Sequence, residues 1–465
     1  MNQLVNISLA NEPIREFNPG GSVYFLGIGG IGMSALARYF NSMGIKVSGY
    51  DKTPSVLTKE LVCEGIEIHY TDDISKADLD AALVVVTPAI PSTHNEWNYF
   101  KAHNYLILKR SEILGKISKT AFNICIAGTH GKTTTSTLIA HILRSSGFGC
   151  NAFLGGISAN YETNFWSSER NVCVVEADEY DKSFLQLYPN IAVITSMEPD
   201  HLDIYGSEKN MQDGFIQFSK QVKPDGIVCF KKGLLRENEF STNTHLSYSL
   251  NNNTANAYAQ KIQIKNGGYS FNVILPDEEI ENVFLPMGGL HNVENSVAAI
   301  LVAQQLGINK EKIKAAIAEF KGVKRRFEFI VNKQEQVYID DYAHHPGELK
   351  ALLRGVRDLY PNRKLTIIFQ PHLYSRTRNH ASEFAETLSM ADEVILLPIY
   401  PARELPIEGV NSEMIAVNIK SKVDVVPMNE VLKVIEYREP ELLITAGAGN
   451  IDTLVEPIKQ QLINK

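Results

Sequence analysis

Residues 122–145 read FNICIAGTHGKTTTSTLIAHILRS, and this stretch decides the fold of the region around it. An apolar, strand-like run from Phe122 to Ala127 leads into a glycine loop, and a helix-like segment from Thr133 to Ser145 follows. Lys132 and Thr133 match the G-K-[ST] end of a P-loop, in which the lysine reaches the β- and γ-phosphates and the hydroxyl holds Mg²⁺. The sequence therefore predicts an ATP-binding loop between a strand and a helix.

The loop departs from the general P-loop pattern at its start. That pattern has a glycine five residues before Gly131, where this chain has Ile126. Gly128 then anchors a shorter loop, and three consecutive threonines, residues 133–135, follow the lysine. The strand, the helix and the threonines together support the phosphate-binding interpretation.

A second glycine loop lies nearer the start of the chain. GIGGIG, residues 27–32, fits G-x-G-x-x-G between the strand Val23–Leu26 and the predicted helix Met33–Met43, and Asp51 closes the next strand. This is the complete dinucleotide fingerprint, in which glycines let backbone amides approach a diphosphate at a helix N-terminus. On its own the pattern favours a nicotinamide dehydrogenase, although it specifies a nucleotide diphosphate more firmly than it specifies NAD.

The two loops together argue against an oxidoreductase. A dehydrogenase has no need of a P-loop, whereas two phosphate loops on two domains indicate two different phosphorylated ligands. An ATP-driven ligase fits both loops. An NAD(P)-dependent dehydrogenase and a non-catalytic nucleotide-binding regulator are the alternatives from other classes.

Acidic residues follow two further strand-like runs. EADE, residues 176–179, comes after Val172–Val175, and DHLD, residues 200–203, comes after Ile191–Thr195. The carboxyl ends of parallel strands share one edge of a sheet, which is where open α/β sheets bind ligands. Since carboxylate oxygens suit Mg²⁺, the sequence predicts a metal site beside the ATP loop.

Other polar groups also lie where ligands are expected. Asn292 and Asn295 are three residues apart on one predicted helical face, where amides can read adenine. Arg326 is a candidate arginine finger at a predicted domain boundary. DDYAHHP, residues 340–346, and FQPHLYSRTR, residues 369–378, follow strands, and two arginines beside a histidine suit a carboxylate ligand.

Alternating strand and helix signals predict an α/β protein of three domains. The first, residues 1–115, is a Rossmann-like domain. The second, residues 116–324, is a P-loop ATPase-like parallel sheet with a small antiparallel side sheet over residues 241–285. The third, residues 325–465, is again Rossmann-like.

Composition narrows the functional class. The chain has 465 residues, 44% apolar and 21% charged, with a net charge of −8, so general nucleic-acid affinity is not expected. Its five cysteines form no C-x-x-C pair, which suggests a reducing compartment. With neither signal-peptide features nor a membrane-spanning run, we expect a cytoplasmic enzyme, monomeric or dimeric.

Nine motifs in order resemble the Mur ligase family, from Val23 to Ile451. They are GIGGIGMS, GTHGKTTT, EADE, EPDHLD, HNVEN, GVKRRF, DDYAHHP, FQPHLYSRTR and GAGNID. Any one motif could occur by chance, but nine in order are highly specific. The resemblance reassigns the first loop from a dinucleotide to the diphosphate of a UDP-linked sugar.

The resemblance also implies a set of site residues. For the UDP-linked substrate these are Gly29, Gly30, Ile31, Gly32, Met33, Ser34, Asp51, His69 and Tyr70. For ATP they are Gly128, Thr129, His130, Gly131, Lys132, Thr133, Thr134, Asn292, Asn295 and Arg326. For Mg²⁺, or Mn²⁺ in its place, they are Thr133, Glu176 and His201. For the amino acid they are Tyr342, His345, His372 and Arg376. The implied catalytic residues are Lys132, His130 and Arg326.

The implied reaction joins L-alanine to UDP-N-acetylmuramate. The lactyl carboxylate takes the γ-phosphoryl group of ATP, and the amine of L-alanine then displaces phosphate from the acyl phosphate. A close alternative attaches the tripeptide L-alanyl-γ-D-glutamyl-diaminopimelate to the same UDP-sugar. EADEYD, residues 176–181, fits both reactions, whereas GIGGIGMS and FQPHLYSRTR favour the single amino acid.

Overall fold

The computed structural model describes residues 19–199, 202–240, 244–402 and 404–464, with only the backbone of residues 202 and 203. The chain divides into two compact units. Unit 1 comprises Met1–Lys261, Phe271–Phe284 and Val293–Phe320. Unit 2 comprises Ile262–Ser270, Leu285–Asn292 and Lys321–Lys465.

The first part of unit 1 is a five-stranded parallel sheet in the order β3-β2-β1-β4-β5. Residues of the central strand alternate between two cores: Val23 and Phe25 face one, Tyr24 and Leu26 the other. Burial on both faces explains why this strand is apolar throughout. The elements are β1 (Val23–Leu26), α1 (Ile31–Ser42), β2 (Val47–Tyr50), α2 (Val56–Cys63), β3 (Glu67–His69), a 3₁₀ turn (Ile74–Lys76), β4 (Leu83–Val86), α3 (Asn95–Ala102), β5 (Ile107–Lys109) and α4 (Arg110–Thr120).

The central region carries a ten-stranded sheet. Its elements are β6 (Phe122–Ala127), α5 (Lys132–Ser145), β7 (Asn151–Ser158), β8 (Thr163–Trp166), β9 (Val172–Glu176), a 3₁₀ segment (Tyr180–Gln186), β10 (Ile191–Ile194), α6 (Leu202–Tyr205), α7 (Glu208–Lys220), β11 (Ile227–Lys231), a 3₁₀ turn (Glu237–Glu239), β12 (Thr244–Ser249), β13 (Ala257–Lys265), β14 (Gly268–Ile274), β15 (Glu279–Leu285), α8 (Leu290–Gln305) and α9 (Lys310–Glu319). The strand order is β15-β14-β13-β12-β11-β10-β6-β9-β7-β8. Because β6 lies parallel between β9 and β10, the carboxyl ends of all three meet at one edge, beside the ATP loop.

Two local features differ from the sequence expectation. β7 and β8 form an antiparallel pair at one end of the sheet that the strand–helix pattern did not predict. The expected side sheet is present as strands β13 to β15 at the other end of the same ten-stranded sheet. Residues 261–275, KIQIKNGGYSFNVIL, predict a hairpin with a Gly-Gly turn, whereas the turn lies at Asn266–Gly267, with φ of +50° and +73°. Asparagine and glycine both tolerate the positive φ that a two-residue hairpin turn needs.

Unit 2 is built around a six-stranded sheet in the order β16-β17-β21-β18-β19-β20. Only its first pair, β16 with β17, is antiparallel. The elements are β16 (Glu328–Asn332), β17 (Val337–Asp341), α10 (Pro346–Leu359), β18 (Leu365–Phe369), α11 (Tyr374–Leu388), β19 (Glu393–Leu396), α12 (Glu413–Ala416), β20 (Lys422–Val425), a 3₁₀ turn (Met428–Glu430), α13 (Val431–Arg438), β21 (Leu442–Ala446), a 3₁₀ turn (Asn450–Leu454) and α14 (Val455–Ile463). The predicted α/β class with mostly parallel sheets is confirmed. Within the described ranges, no helix has both the length and the apolar character that a bilayer crossing demands.

Candidate active site

The ATP loop of unit 1 needs glycine at both ends. Gly128 has φ +140°, and a Cβ there would lie 2.1 Å from the hydroxyl of Thr195. Gly131 has φ +81°, and its Cβ would lie 2.9 Å from Oδ1 of Asn295. Both backbone conformation and close approach exclude a side chain. The loop is therefore shaped by its neighbours as well as by its own sequence.

The residues after β10 hold the loop in place. The Thr195 hydroxyl donates to the His130 carbonyl at 2.5 Å. The His130 amide donates to Oγ of Ser196 at 2.7 Å, and that oxygen also lies 2.9 Å from Oγ1 of Thr129. Neither support is predicted by the motifs of the sequence. The signal that could have found them is two hydroxyl residues directly after a buried strand at the ligand-binding edge.

Lys132 is held over the loop by a buried acid. Its Nζ donates to the Gly128 carbonyl at 2.7 Å and lies 2.7 Å from Oε2 of Glu179. The Glu179 side chain is 1% exposed, and the Tyr205 hydroxyl donates to its main-chain carbonyl. Glu179 belongs to the predicted acidic cluster but had no assigned role. It fixes the ammonium where the phosphates of a bound nucleotide would lie.

Thr133 and Glu176 lie together, as expected for residues sharing one metal ion. The Thr133 hydroxyl donates to Oε1 of Glu176 at 3.0 Å. The other carboxylate oxygen accepts from the Gly155 amide at 3.0 Å. A Cβ at Gly155 would fall 2.3 Å from this carboxylate, so glycine is required there. Hydroxyl and carboxylate oxygens are the donors Mg²⁺ prefers, and these residues fit that ion. The third predicted ligand, His201, lies outside the described residues.

The remaining predicted ATP residues differ in exposure. The His130 side chain is 55% exposed, with Nε2 3.5 Å from the exposed Glu198 carboxylate. Thr134 is buried on α5, and Asn295 is buried against Gly131. Asn292, also buried, donates from Nδ2 to the Gly288 carbonyl at 2.8 Å. Of this group His130 alone presents most of its side chain to solvent.

The first glycine loop is organised by a carboxylate. The Gly29 amide donates to Oδ2 of Asp51 at 2.7 Å. A Cβ at Gly29 would meet Thr58 at 2.7 Å and Asp51 at 2.8 Å. Met33 and Ser34 are buried, so their side chains face the core. Residues 29–32 themselves are partly or largely exposed, and Ile31 is the exposed apolar side chain among them.

The other predicted UDP-site residues gather beside this loop. The Asp51 amide donates to the His69 carbonyl at 3.1 Å. The Tyr70 hydroxyl donates to Oγ1 of Thr58 at 3.1 Å, and Thr58 also contacts the glycine loop. The structure thus brings Asp51, His69 and Tyr70 together at the carboxyl edge of the first sheet, and their contact with a uridine stays a prediction.

Arg110 connects the two loop regions within unit 1. A Cβ at Gly32 would lie 2.8 Å from Cδ of Arg110 and 2.9 Å from its NH1. Its NH2 lies 3.7 Å from Oδ2 of Asp178, in the acidic cluster after β9. Both side chains are partly exposed, at 27% and 38%. Arg110, which the sequence analysis did not single out, places a cation beside the first loop.

A second connection within unit 1 is buried. The side-chain amide of Asn164, on β8, donates to the Ile31 carbonyl at 2.5 Å and to Oγ of Ser34 at 3.0 Å. Asn164 also accepts from Arg38 of α1, whose Nε donates to the Glu64 carboxylate at 2.9 Å. Since Asn164 and Ser34 are fully buried, these bonds fix α1, and hence the end of the first glycine loop, against the central sheet.

In unit 2, His372 and Arg376 lie together at the carboxyl edge of the sheet. Arg376 NH1 is 3.3 Å from Nδ1 of His372, and the His372 ring stacks on Tyr400 with centroids 5.8 Å apart. Burial and the neighbouring His344 and Arg376 lower the pKa of His372 to about 4. His372 is therefore neutral near pH 7, and Arg376 is the cation of the pair. Exposed His345 lies one residue before α10, its ring 4.9 Å from His380.

The adjacent arginines before β16 have different environments. Arg325 donates from NH2 to the Gly447 carbonyl and places Nε 3.4 Å from the buried Asp340 carboxylate. Burial raises the pKa of Asp340 to about 7, against the opposing effect of Arg325. Both guanidinium groups lie over the ring of Tyr342, Arg325 at 5.1 Å and Arg326 at 5.3 Å from its centroid. Arg325 thus anchors the fold of unit 2, and the ligand-binding role of Arg326 stays a prediction.

Comparisons with known proteins agree with this arrangement. Three family descriptions match the chain: "Mur ligase family, catalytic domain" at residues 22–121, "Mur ligase middle domain" at 126–303 and "Mur ligase, glutamate ligase domain" at 325–449. The UDP-N-acetylmuramate–L-alanine ligase of Flavobacterium psychrophilum is 47% identical over 450 residues, covering 96% of this chain and 98% of that protein. The enzyme of the same name from Parabacteroides distasonis is 47% identical over 456 residues, again covering 96% and 98%.

Solved structures extend the comparison. The crystal structure of the UDP-N-acetylmuramate–alanine ligase from Thermotoga maritima matches with a TM-score of 0.82 at 27% identity, covering 96% of this chain and 100% of that one. A murein peptide ligase from Psychrobacter arcticus matches with a TM-score of 0.67 at 23% identity, covering 96% and 98%. The second likeness concerns the fold alone.

Proposed function

The chain belongs to the Mur ligase family, and we propose from this premise that it joins L-alanine to the lactyl carboxylate of UDP-N-acetylmuramate. The reaction consumes ATP, yields ADP and phosphate, and serves peptidoglycan precursor synthesis. The observation that carries the proposal is the near-full-length similarity to ligases named for these two substrates. The intact ATP loop, with Lys132 held by Glu179, supports an active enzyme over a nucleotide-binding regulator.

ATP binds at the loop between β6 and α5. Backbone amides at the start of α5 face the phosphates, and the helix N-terminus adds positive potential. Lys132 stabilises the charge that moves onto the transferring γ-phosphoryl group, because its ammonium is already positioned. Asn292 and Asn295 contact adenine, and Arg326 contributes a second cation to the transfer. His130 lies beside the reacting carboxylate.

Mg²⁺ is held by Thr133, Glu176 and His201. When bound, it neutralises phosphate charge. The Thr133 hydroxyl and the Glu176 carboxylate are already within hydrogen-bond distance of each other. Thr133 lies in the first turn of α5, which follows β6, and Glu176 ends β9, the strand paired with β6, and this placement supports the assignment.

UDP-N-acetylmuramate binds at the first loop. The glycine loop, residues 29–32, surrounds its diphosphate, and Arg110 adds a cation on the side of Gly32. Asp51, His69 and Tyr70 lie at the uridine. L-alanine binds in the third domain, where Arg376 takes its carboxylate and His372, Tyr342 and His345 complete the site. The neutral state of His372 leaves Arg376 as the recognising cation.

The chemistry has two steps. A lactyl carboxylate oxygen attacks the γ-phosphorus, the bond to the β-phosphate oxygen breaks, and ADP leaves. The neutral amine of L-alanine then attacks the acyl carbon, inorganic phosphate leaves with its oxygen, and the nitrogen loses a proton. Activation is needed because a carboxylate is a poor electrophile. With little covalent work for the protein to do, positioning and charge neutralisation dominate.

Three finer assignments belong to the same proposal. We propose domain bounds of 1–115 for UDP-substrate binding, 116–324 for ATP and 325–465 for the amino acid. We also propose that the enzyme works in the cytoplasm, where ATP is available, and as a monomer or a dimer. ATP with Mg²⁺, or Mn²⁺ in its place, completes the set of cofactors.

The deciding experiment measures phosphate release from ATP and Mg²⁺ with UDP-N-acetylmuramate. We expect release with L-alanine and its loss in Lys132→Ala. Release only with L-alanyl-γ-D-glutamyl-diaminopimelate would assign the chain to the tripeptide reaction instead. Release with neither, together with a cofactor-dependent absorbance change at 340 nm, would return the chain to the dehydrogenase alternative.

A further inference from the structure

A chain of hydrogen bonds runs from a buried glutamate to His69 in the first sheet. The Tyr24 hydroxyl lies 2.6 Å from Oε2 of Glu96 and 2.7 Å from Nε2 of His69. At the other side of the ring, Nδ1 of His69 lies 2.9 Å from the Thr71 carbonyl oxygen. Oε1 of Glu96 accepts from the Asp73 amide at 3.1 Å. Tyr24 and Glu96 are fully buried.

The number of hydrogens shared by Glu96, Tyr24 and His69 follows from the geometry of these hydrogen bonds. A carbonyl only accepts, so Nδ1 of His69 carries a hydrogen. The Tyr24 hydroxyl has a single hydrogen and cannot serve both Glu96 and His69. With an ionised glutamate and a neutral histidine, one of the two contacts would bring lone pairs together at 2.6 or 2.7 Å. The chain therefore holds one further proton, on Glu96 or on Nε2 of His69.

The surroundings place that proton on the glutamate. Burial raises the pKa of Glu96 and lowers the pKa of His69. The titratable and charged groups that face the chain are Tyr50, Asp72, Asp73, Lys76, Asp78 and His94. Asp72 disfavours ionisation of Glu96, and Lys76 disfavours a charged His69. Hydrogen bonds from Tyr24 and Asp73 and the nearby His94 act in the opposite sense on Glu96, and Thr71, Asp73 and Asp72 do so on His69, but burial is the largest effect on both pKa values. Glu96 then donates to Tyr24, and Tyr24 donates to His69.

We propose that Glu96 and Tyr24 are positioning residues that hold His69 as a neutral ring with hydrogen on Nδ1, so that it meets the uracil base through its ring face. Both ring nitrogens are already engaged by Thr71 and Tyr24, and the Tyr50 ring lies 5.6 Å from that of His69, so a ligand can meet only the remaining 16%-exposed part of the ring. The inference rests on the proposed placement of the uridine beside His69.

This Glu96–Tyr24–His69 hydrogen-bond chain, the relay, also makes nucleotide binding depend on pH. As pH rises through the raised pKa of Glu96, the carboxyl loses the hydrogen it donates. Tyr24 then donates to Glu96, and Nε2 of His69 loses its donor. Nucleotide affinity therefore falls as pH rises. The stability that the protonated Glu96 contributes is likewise present at low pH and lost as pH rises through that pKa.

Nitrogen-15 NMR of histidine-labelled full-length protein tests the proton arrangement directly, with His69 assigned from the signals missing in His69→Gln. Because burial lowers the pKa of His69, we expect the neutral Nδ1–H form at pH 7, with a shift of the Nε2 signal as pH rises through the raised pKa of Glu96. A charged ring, or hydrogen on Nε2 alone, at pH 7 would overturn the relay. This readout needs neither nucleotide nor catalysis, so it judges the relay even if the proposed function is wrong.

Calorimetric titration with UDP tests the positioning role. Glu96→Gln keeps a permanent donor to Tyr24, so UDP affinity stays within about twofold of wild type and loses its fall at high pH. Tyr24→Phe weakens UDP binding about tenfold, the effect of one well-placed hydrogen bond. Tyr105→Phe removes a hydroxyl bonded to the Leu79 carbonyl in the same sheet and leaves affinity unchanged. Equal affinity in wild type and Tyr24→Phe would refute the role, and absence of UDP binding in wild type would instead refute the uridine placement.

Discussion

The two glycine loops of unit 1 share a backbone arrangement but differ in the charged side chains beside them. Each follows the central part of a parallel sheet, opens a helix and tolerates only glycine at key positions. At the first loop a carboxylate, Asp51, accepts the Gly29 amide, and the cation beside the loop is Arg110 from a distant helix. At the second loop the cation is Lys132 of the loop's own helix, and it is paired with buried Glu179.

This difference shows how one backbone arrangement, a glycine loop that opens a helix, can serve two tasks. In the proposed function, amides at a helix N-terminus bind phosphate in either loop. A lysine, a hydroxyl and a carboxylate converge on the second loop, so a phosphoryl group bound there can be transferred as well as held. The first loop has no equivalent convergence in its own motif, where Ile31 and Met33 flank Gly32. We therefore expect damage to the second loop to lower kcat and damage to the first to raise KM.

The largest effect is expected from Lys132→Ala. Loss of the positioned ammonium removes charge stabilisation from the transferring phosphoryl group and leaves Glu179 without its cation. We expect kcat for phosphate release to fall roughly 10³-fold, with KM for UDP-N-acetylmuramate little changed. Lys209→Ala, at a 76%-exposed lysine of the same unit, is the matched control. A decrease in kcat of less than tenfold, in a variant whose circular dichroism matches wild type, would contradict the proposed distinction between the loops.

Glu176→Gln should have the next largest effect. The amide keeps the size of the side chain but loses the charge that Mg²⁺ needs, so kcat falls about a hundredfold and more Mg²⁺ is required for half-maximal rate. Chelation with EDTA abolishes the activity of both proteins. Glu169→Gln, at an exposed glutamate in the same region, serves as control. An unchanged Mg²⁺ requirement would show that Glu176 holds no metal.

Much of this comparison could be predicted from local sequence. A glycine loop between an apolar strand and a helix is specified by residues that are neighbours in the chain, so both loops and their strands were found. The acidic cluster at residues 176–179 was placed correctly because parallel strands end at a common edge. Lys132 and Thr133 follow from a motif whose spacing is fixed by the helix itself.

The supports of the loops could not be predicted in the same way. Thr195 and Ser196 reach the second loop from more than 60 residues along the chain, and Asn164 reaches α1 from 130 residues away. Tertiary packing decides which side chain lies against a loop glycine. It leaves no periodic pattern in the sequence from which that contact could be predicted. Arg110 and Arg38 resemble ordinary surface cations in the sequence, and only the fold shows what they contact.

Arg110→Ala tests whether the first loop depends on a cation supplied by another element of the fold. The guanidinium lies over Gly32 and near Asp178, so its loss should raise KM for UDP-N-acetylmuramate about tenfold, as for one charge-assisted contact. The value of kcat should stay within about twofold. Lys59→Ala, at an exposed lysine of α2, is the control. A larger effect on kcat than on KM would mean that Arg110 acts on the reaction through Asp178.

The smallest effect is expected from Asp51→Asn, which asks whether a carboxylate at the first loop acts as Glu176 does at the second. Asp51 accepts from the amides of Gly29 and Thr53, at 2.7 and 3.2 Å. Asparagine keeps one acceptor and loses the other, at a cost of about 1 kcal/mol. KM for UDP-N-acetylmuramate should therefore rise about fivefold with kcat and the Mg²⁺ requirement unchanged, and Asp80→Asn should match wild type. If kcat falls as far as in Glu176→Gln, the first loop takes part in the reaction. The proposed division, in which the first loop only binds its substrate and the second also supports phosphoryl transfer, is then wrong.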